Sequence, residues 1–356
     1  MLNIVIAVLL FGLIILVHEF GHFLLAKLNG IGVLEFSIGM GPRLLSVVKG
    51  ETRYSIKALP FGGSCMMEGE MGEEGGSDKA FTNKPVWARI LVIAAGPAFN
   101  FLLAFLFAMV IVSQVGHDDP VLYGVTDGSP AQEAGLLAGD KITRINSRKV
   151  SAYRDVQMYL MSHPGQEVTL QYERPAGGSW ENGGAAEKRT VTLTPAFDEE
   201  SQAYLLGVLF YGYTPTEGPL DFLASSAYEV KYCITATFDS IAMLVHKQLQ
   251  VDQAVSGPVG VVSMVGETVE QYSSYGLWAV VFVLSQWVLV LSTSLGIMNL
   301  LPIPALDGGR LLFLLIELVR GKPVDPEKEG MVHFAGMMLL MTFMVYVLFN
   351  DIRNLL

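Results

Sequence analysis

Two histidines and one glutamate in the first apolar segment of the chain have the spacing of a metal site. They form the pattern His18-Glu19-Phe-Gly-His22, or HExxH. At 100° per residue, His18 and His22 differ by about 40° around a helix, so both imidazoles can face one metal ion. Glu19 then lies beside the ion, where its carboxylate can take a proton from water. The pattern predicts one Zn²⁺ per chain, with His18 and His22 as ligands and Glu19 as the general base. Two packed histidines without a metal are the alternative.

A third ligand must come from elsewhere, because catalytic zinc takes three protein ligands and keeps one position for water. Asp307 is the only carboxylate between Glu270 and Glu317. It follows Pro302 and Pro304, which should end a helix and leave backbone groups facing protein or a cavity. We therefore expect Asp307 to be the third metal ligand. A helix N-cap is a second role that it could fill at the same time.

The composition excludes two classes of protein. Of 356 residues, 51% are hydrophobic and 16% are charged, whereas soluble domains carry about 25% charged residues. A wholly soluble globule is therefore excluded. The net charge of −11 leaves no basic surface for a phosphate backbone, so nucleic acid is not an expected partner. Cys65 and Cys233 are too few for a disulfide framework.

Four apolar stretches are of a length to cross a bilayer, which takes about 20 residues. Lys and Arg concentrate in the short connections between the first and second stretches and between the third and fourth. By the positive-inside rule both connections are cytoplasmic. Both termini and the segment over 117–270 should then be extracytoplasmic, in a multi-pass protein of the bacterial cell membrane, and the lipid bilayer is an expected partner.

Two segments outside the membrane have the patterns of folded structure. Lys49-Gly50 is typical of a turn, and Arg53–Ala58 alternates polar and apolar residues, which predicts a β-hairpin. In the outward segment, β-rich runs at 141–146, 167–173 and 189–194 flank a helical stretch at 153–162, and glycines at 177, 178, 183 and 184 mark a hairpin tip. The words Ser129-Pro-Ala-Gln-Glu-Ala-Gly-Leu and Gly139-Asp-Lys-Ile-Thr-Arg-Ile-Asn there resemble a PDZ domain of the bacterial protease type, present once.

These elements predict a polytopic α-helical membrane protein with four transmembrane helices, a cytoplasmic-side re-entrant β-hairpin and an extracytoplasmic PDZ-like α+β domain. The expected boundaries follow chain order: helix 1 with HExxH over 1–30, the hairpin and a loop over 31–85, helix 2 over 86–116, the PDZ-like domain over 117–200, a linker or amphipathic segment over 201–270, helix 3 with Asp307 over 271–310, a cytoplasmic connection over 311–330 and helix 4 over 331–350.

The order of five patterns resembles the site-2 protease family, nearest to its bacterial regulator-of-sigma-E protease branch. The patterns are HExxH, Ala95–Asn100, the PDZ-like insert, Ser256–Gly260 and Asn299–Gly309. The resemblance implies an intramembrane zinc endopeptidase that cuts single-span membrane proteins, such as anti-sigma factors or signal-peptide remnants. It also implies His18, His22 and Asp307 as metal ligands and Glu19 as the base. Better-studied relatives carry two tandem PDZ domains, which puts a size-exclusion role argued from such a pair in doubt for this chain.

Several other residues have expected roles. Asn299 and Asn100 are candidate substrate-binding residues, and a hydrogen bond between their helices is the alternative. Gly96-Pro97 should let the second helix pack closely or kink. His333, at the start of the fourth stretch, should be interfacial. The PDZ-like domain should either bind peptide ends or filter substrates by size.

Two other functions use the same residues differently. A membrane receptor or scaffold would use the PDZ-like domain to bind peptide ends, with structural histidines and no protease activity. A transporter or proton channel would use the His/Glu/Asp cluster for ion passage and would conduct in the presence of a chelator.

The orientation can be tested by cysteine labelling after Cys65 and Cys233 are removed. Cysteines at Lys49 and Lys322 should be shielded from an impermeant thiol reagent in intact cells, and one at Gly183 should react. Labelling of position 49 from outside would invert the orientation.

Overall fold

The computed structural model describes residues 2–70, 77–176, 180, 186–248 and 257–355. Its helices in chain order are α1 (Leu2–Leu28), α2 (Val86–Val115), α3 (Pro130–Glu133), α4 (Tyr153–Ser162), α5 (Pro219–Val245), α6 (Pro258–Ser273), α7 (Leu277–Leu300), α8 (Asp307–Arg320) and α9 (Pro326–Leu355). Its strands are β1 (Val33–Lys49), β2 (Thr52–Met67), β3 (His117–Asp118), β4 (Leu122–Val125), β5 (Lys141–Ile145), β6 (Arg148–Lys149), β7 (Val168–Pro175), β8 (Ala186–Leu193), β9 (Ala196–Asp198), β10 (Ala203–Leu205), β11 (Val208–Phe210) and β12 (Tyr213–Thr214). The chain divides into two units, 1–110 with 251–356 and 111–250.

Four helices of the described residues are long and apolar enough to cross a membrane: α1, α2, α7 and α9. In the first unit, α1 packs between its neighbours through small and branched side chains. Leu10 and Ile14 of α1 meet Leu103 of α2 and Val288 of α7. Ala7, one turn earlier, meets α6. These contacts place the HExxH helix in the middle of the helix bundle.

The third predicted helix, over 271–310, ends earlier than expected. α7 stops at Leu300, and the chain turns through 301–306 before α8 begins. Pro302 and Pro304 have no N–H to continue the helical hydrogen bonds, which is the physical reason for the break. Asp307 is thus the first residue of a separate helix, and its neighbour Leu306 occupies the N-cap position.

The predicted β-hairpin is present, and it is folded more than once. β1 ends at Lys49 and β2 begins at Thr52, with Gly50 at φ +65° in the turn. Residues 33–38 pair on one side with 53–56 and on the other with 63–67, while 43–49 pair with 52–57. The two bent strands therefore form four paired segments, in which 33–38 run antiparallel to 63–67 but in parallel register with 53–56, and 43–49 run antiparallel to 52–57. Glu35, buried between them, receives two hydrogen bonds from Arg43, whose guanidinium holds the pKa of Glu35 at about 2.

The second unit has its own core under an antiparallel sheet ordered β6-β5-β7-β8. Strands predicted from alternation at Lys141–Asn146, Glu167–Glu173 and Arg189–Thr194 correspond to β5, β7 and β8, and the predicted helix corresponds to α4. Glycines expected at a hairpin tip, 177, 178, 183 and 184, lie outside the described residues.

The expected boundary of this unit at residue 200 is too early. β11 pairs with β4, and β12 pairs with β3, so residues 208–214 complete sheets begun at 117–125. Beyond them, α5 is attached by a buried ion cluster in which Arg154 contacts Asp118 and Glu229. Strand pairing between distant segments is not visible in local periodicity, which explains the misplaced boundary.

The end of α9 is fixed to the beginning of α6. Asp351 accepts hydrogen bonds from the backbone N–H groups of Gly257 and Gly260, both at 2.9 Å. A carboxylate at this place satisfies free N–H groups of the helix N-terminus and complements its positive dipole end. A Cβ on Gly257 would meet Asp351, so the glycine is needed for the close approach.

Candidate metal centre

Three donor atoms from two distant segments converge inside the first unit. His18 Nε2 lies 3.2 Å from His22 Nε2 and 3.2 Å from Asp307 Oδ2, and His22 Nε2 lies 3.4 Å from Asp307 Oδ2. Ligands of a tetrahedral zinc ion at bond lengths of 2.0–2.2 Å are about 3.3 Å apart. The spacing of the three atoms therefore fits zinc.

The hydrogen bonding of His22 makes its Nε2 a bare acceptor. His22 Nδ1 lies 2.9 Å from the carbonyl oxygen of Val92, which can only accept, so Nδ1 carries the proton. In the neutral ring the lone pair of Nε2 then faces Asp307 Oδ2, a buried oxygen with no hydrogen-bond donor among the described residues. Two lone pairs at this separation repel each other unless a cation lies between them.

Asn100 contacts the imidazole of His18 at Nδ1, the ring nitrogen outside the donor cluster. Its side chain is fully buried, and its carboxamide nitrogen Nδ2 lies 3.2 Å from His18 Nδ1, while Oδ1 has no hydrogen-bond partner among the described residues. A carboxamide can present either its nitrogen or, after a half-turn, its oxygen. Only the oxygen accepts a hydrogen bond from Nδ1–H, and that tautomer leaves His18 Nε2 free to bind a metal.

Glycines bring α1 and α2 into backbone contact at the site. A Cβ on Gly21 would lie less than 3.0 Å from the carbonyl group of Ala95. A Cβ on Gly96 would lie less than 3.0 Å from the imidazole of His22 and from that of His18. Pro97 follows directly after this contact and lies inside α2, which continues through it. The expectation that Gly96-Pro97 allows close packing is confirmed, and the neighbour it admits is the histidine pair itself.

Two further glycines present Asp307 to the histidines. Cβ atoms on Gly308 and Gly309 would each collide with backbone carbonyl groups of the preceding turn. The first turn of α8 thus folds directly against the end of α7. Arg310 adds an ion pair with Glu70, and Glu317 pairs with Arg89 at the start of α2. These pairs hold α8 against the segments that flank the hairpin and α2.

Glu19 lies between the donor cluster and the hairpin. A Cβ on Gly63 would come within 2.8 Å of Glu19 Cγ, and the backbone of Cys65 hydrogen-bonds to the Glu19 carboxylate. Burial raises the pKa of the Cys65 thiol. Glu19 is half-buried and next to the metal position, as a general base requires.

Comparisons with known proteins identify the family of the chain. Residues 6–343 match the family described as peptidase family M50. The chain belongs to peptidase family M50. A protein of Bacillus subtilis named regulator of sigma-W protease RasP is 32% identical over 439 residues, covering 99% of each chain. Zinc metalloprotease RasP of Geobacillus kaustophilus is 32% identical over 428 residues, covering 98% of this chain and 97% of the relative.

Membership of the M50 family confirms the predicted family and the predicted peptidase activity. With its four apolar helices, this M50 peptidase is a multi-pass membrane protein. The structure brings His18, Glu19, His22 and Asp307 together, whereas Asn299 lies at the end of α7 and, among the described side chains, does not hydrogen-bond to Asn100.

Sequence reasoning missed three contributors to the site of this M50 peptidase. The contact of His22 with the carbonyl group of Val92 cannot be read from the sequence, because every residue type has a backbone carbonyl group. The pairing of Arg310 with Glu70 could not be found from spacing, since the two residues are far apart in the chain. His333 was assigned an interfacial role, but its Nδ1 accepts a hydrogen bond from the backbone of Ala305 in the turn before Asp307.

The close approach of α2 predicts that Gly96→Ala lowers zinc affinity by at least about tenfold, since the new methyl group displaces the imidazoles from the metal position. Zinc affinity of the purified chain in detergent is the measurement. Gly12→Ala in α1 is the matched control, because a Cβ there meets nothing within 4 Å. Unchanged affinity of the Gly96 variant would contradict the geometry described above.

Proposed function

We propose that this M50 peptidase hydrolyses peptide bonds within or near the transmembrane segments of single-span membrane proteins, with the donor cluster as its zinc site. Zinc-dependent peptidase activity is the activity of the family. The observation that carries the assignment of roles is the convergence of two imidazoles and one carboxylate beside Glu19. The imidazoles and Glu19 are on α1, a helix apolar enough to span a membrane.

His18, His22 and Asp307 would hold the ion through Nε2, Nε2 and Oδ2. When bound, zinc supplies a Lewis acid that makes water more acidic and polarises a peptide carbonyl group. Glu19 takes a proton from the attacking water and passes it to the nitrogen of the departing amine as the C–N bond breaks. Asn100, buried behind His18, holds the imidazole in the required tautomer in place of its expected contact with substrate.

An extended substrate would bind beside the hairpin. Residues 63–67 pair along one edge with 33–38, and no other described segment pairs with them. Glu19 lies against this same stretch at Gly63 and Cys65. A substrate helix must open before hydrolysis because helical carbonyl groups are hydrogen-bonded, and the opened segment can be held as an added strand. Asn299, partly exposed at the end of α7, is the second proposed contact with the substrate backbone.

The second unit is proposed to be the extracytoplasmic PDZ-like domain, with peptide ends as partners. A cavity of about 520 Å³ lies between α4 and β11, lined by Tyr123, Tyr153, Gln157 and residues 208–212. β11 pairs with β4 on one side only among the described strands, which leaves an edge toward the cavity. An extended peptide can add to such an edge and place a side chain among the aromatic rings. Filtering by size is the other use of the domain.

The proposed location is a bacterial cell membrane, with both termini and the second unit extracytoplasmic. The relatives described above come from bacteria. The name of the Bacillus subtilis relative refers to sigma-W regulation, which supports anti-sigma factors as one substrate class; signal-peptide remnants are another.

Glu19→Gln tests the catalytic assignment. The variant should keep zinc, since all three ligands remain, and should lose cleavage of a single-span substrate by a factor of about 10² or more, because an amide cannot take the water proton. Zinc content and the cleavage rate are measured on the same preparation. Normal cleavage would refute the role of Glu19, and absence of cleavage in the parent chain would favour the receptor or scaffold.

Gln157→Trp tests the peptide groove. A large ring at this exposed position of α4 should fill the cavity and raise the substrate concentration for half-maximal cleavage about tenfold without changing the maximal rate. The substrate should carry a free, trimmed outward end. Lys149→Trp, on exposed β6 and outside the cavity lining, is the control. Equal concentration dependence for the two variants would favour the size filter.

A further inference from the structure

The turn that presents Asp307 has an unusual backbone. Ala305 has φ +78°, in the left-handed region that residues with a side chain rarely adopt. Unlike asparagine or aspartate, alanine has no polar group that could stabilise this conformation locally. The turn therefore needs an outside contact to hold it, and Asp307 lies only two residues further along.

With one exception, the available N–H groups of the turn bond within the turn or, for Leu301, to the preceding helix α7. Pro302 and Pro304 have none to offer. Ile303 donates to Leu301, and Leu306 donates to Ile303. Ala305 differs, because its N–H donates to Nδ1 of His333 on α9 at 2.9 Å. Among the described hydrogen bonds, this one alone ties the backbone at 301–306 to an element other than the flanking helices α7 and α8.

A glycine on α9 permits this contact. Gly336 lies one helical turn after His333 on the same face. A Cβ on Gly336 would come within 3.0 Å of the side chain and carbonyl group of Pro304. The absence of a side chain thus brings α9 against Pro304 and Ala305 and sets His333 at hydrogen-bonding distance. Nδ1 accepts, so the proton of the neutral ring is on Nε2, which is buried.

We propose that His333 is a positioning residue of the metal centre: by accepting the Ala305 N–H it holds the turn that directs Asp307 Oδ2 toward His18 and His22. The inference rests on the proposed role of Asp307 as a zinc ligand. His333 itself contacts neither the donor cluster nor a reacting atom. It acts by placing one ligand. Hydrogen bonds behind metal ligands commonly orient those ligands in this way.

The test is zinc affinity of the full chain in detergent, measured by competition with a chelator. His333→Leu removes the acceptor and should weaken zinc binding about 10- to 100-fold. His333→Asn should restore affinity to within about threefold of the parent, because Oδ1 of asparagine stands where Nδ1 of histidine does and also accepts. A purely structural role for the ring would leave the two variants equally impaired, which would overturn the proposal.

Gly336→Ala provides a second route that keeps the histidine. Its new Cβ should push α9 away from Pro304, break the same hydrogen bond and weaken zinc binding as His333→Leu does. Gly330→Ala, also in α9, is the matched control, because a Cβ there meets nothing within 4 Å. If His333→Leu does not fold, this pair decides, and equal zinc affinity of the two glycine variants would refute the proposal.

Asp307→Ala separates the two inferences in the same assay. Tight zinc binding by this variant would remove the ligand role and with it the basis of the proposal. Loss of zinc from Asp307→Ala together with parental affinity of His333→Leu would leave the ligand role intact and overturn the role of His333 alone.

Discussion

The mutual repulsion of three electron-rich donors is the constraint around which the first unit is built. Two imidazole nitrogens and a carboxylate oxygen lie within 3.4 Å of one another in the protein interior. A cation among the donors stabilises such a cluster, and the hydrogen bond of His22 Nδ1 to Val92 leaves Nε2 free to bind one. Val92 fixes one imidazole, Asn100 the other, and α8 carries the carboxylate.

The helices approach one another closely at the cluster because glycines stand at the points of contact. Gly21 and Gly96 let α1 and α2 touch, Gly308 and Gly309 let α8 fold against the end of α7, and Gly336 lets α9 reach the turn before Asp307. In a bilayer there is little hydrophobic gain from helix association, so small residues that permit tight packing decide which helix faces meet. The glycines therefore set the geometry of the ligands.

In the proposed mechanism, the hairpin beside Glu19 gives the first unit a way to hold substrate. Its last segment, 63–67, passes Glu19 with one edge left without a strand partner among the described residues. An intramembrane peptidase must stabilise an opened, extended stretch of its substrate, since exposed backbone groups are costly away from water. Placing the edge next to the base couples substrate opening to the site of hydrolysis. The second unit, with its own core and cavity, is suited to recognition before that step.

Features that depend on local period and length could be read from the sequence. HExxH sets both histidines on one helix face, four apolar runs give the spanning helices, a helical stretch predicted α4, and β-rich runs predicted β5, β7 and β8. Asp307 was found because a carboxylate is rare in a long apolar run. Three features could be seen only in the folded chain: the burial of Asn100 behind His18, the contact of His333 with Ala305 and the extension of the second unit to residue 214. These depend on which faces of distant segments meet, and helical and strand periods carry no information about that choice.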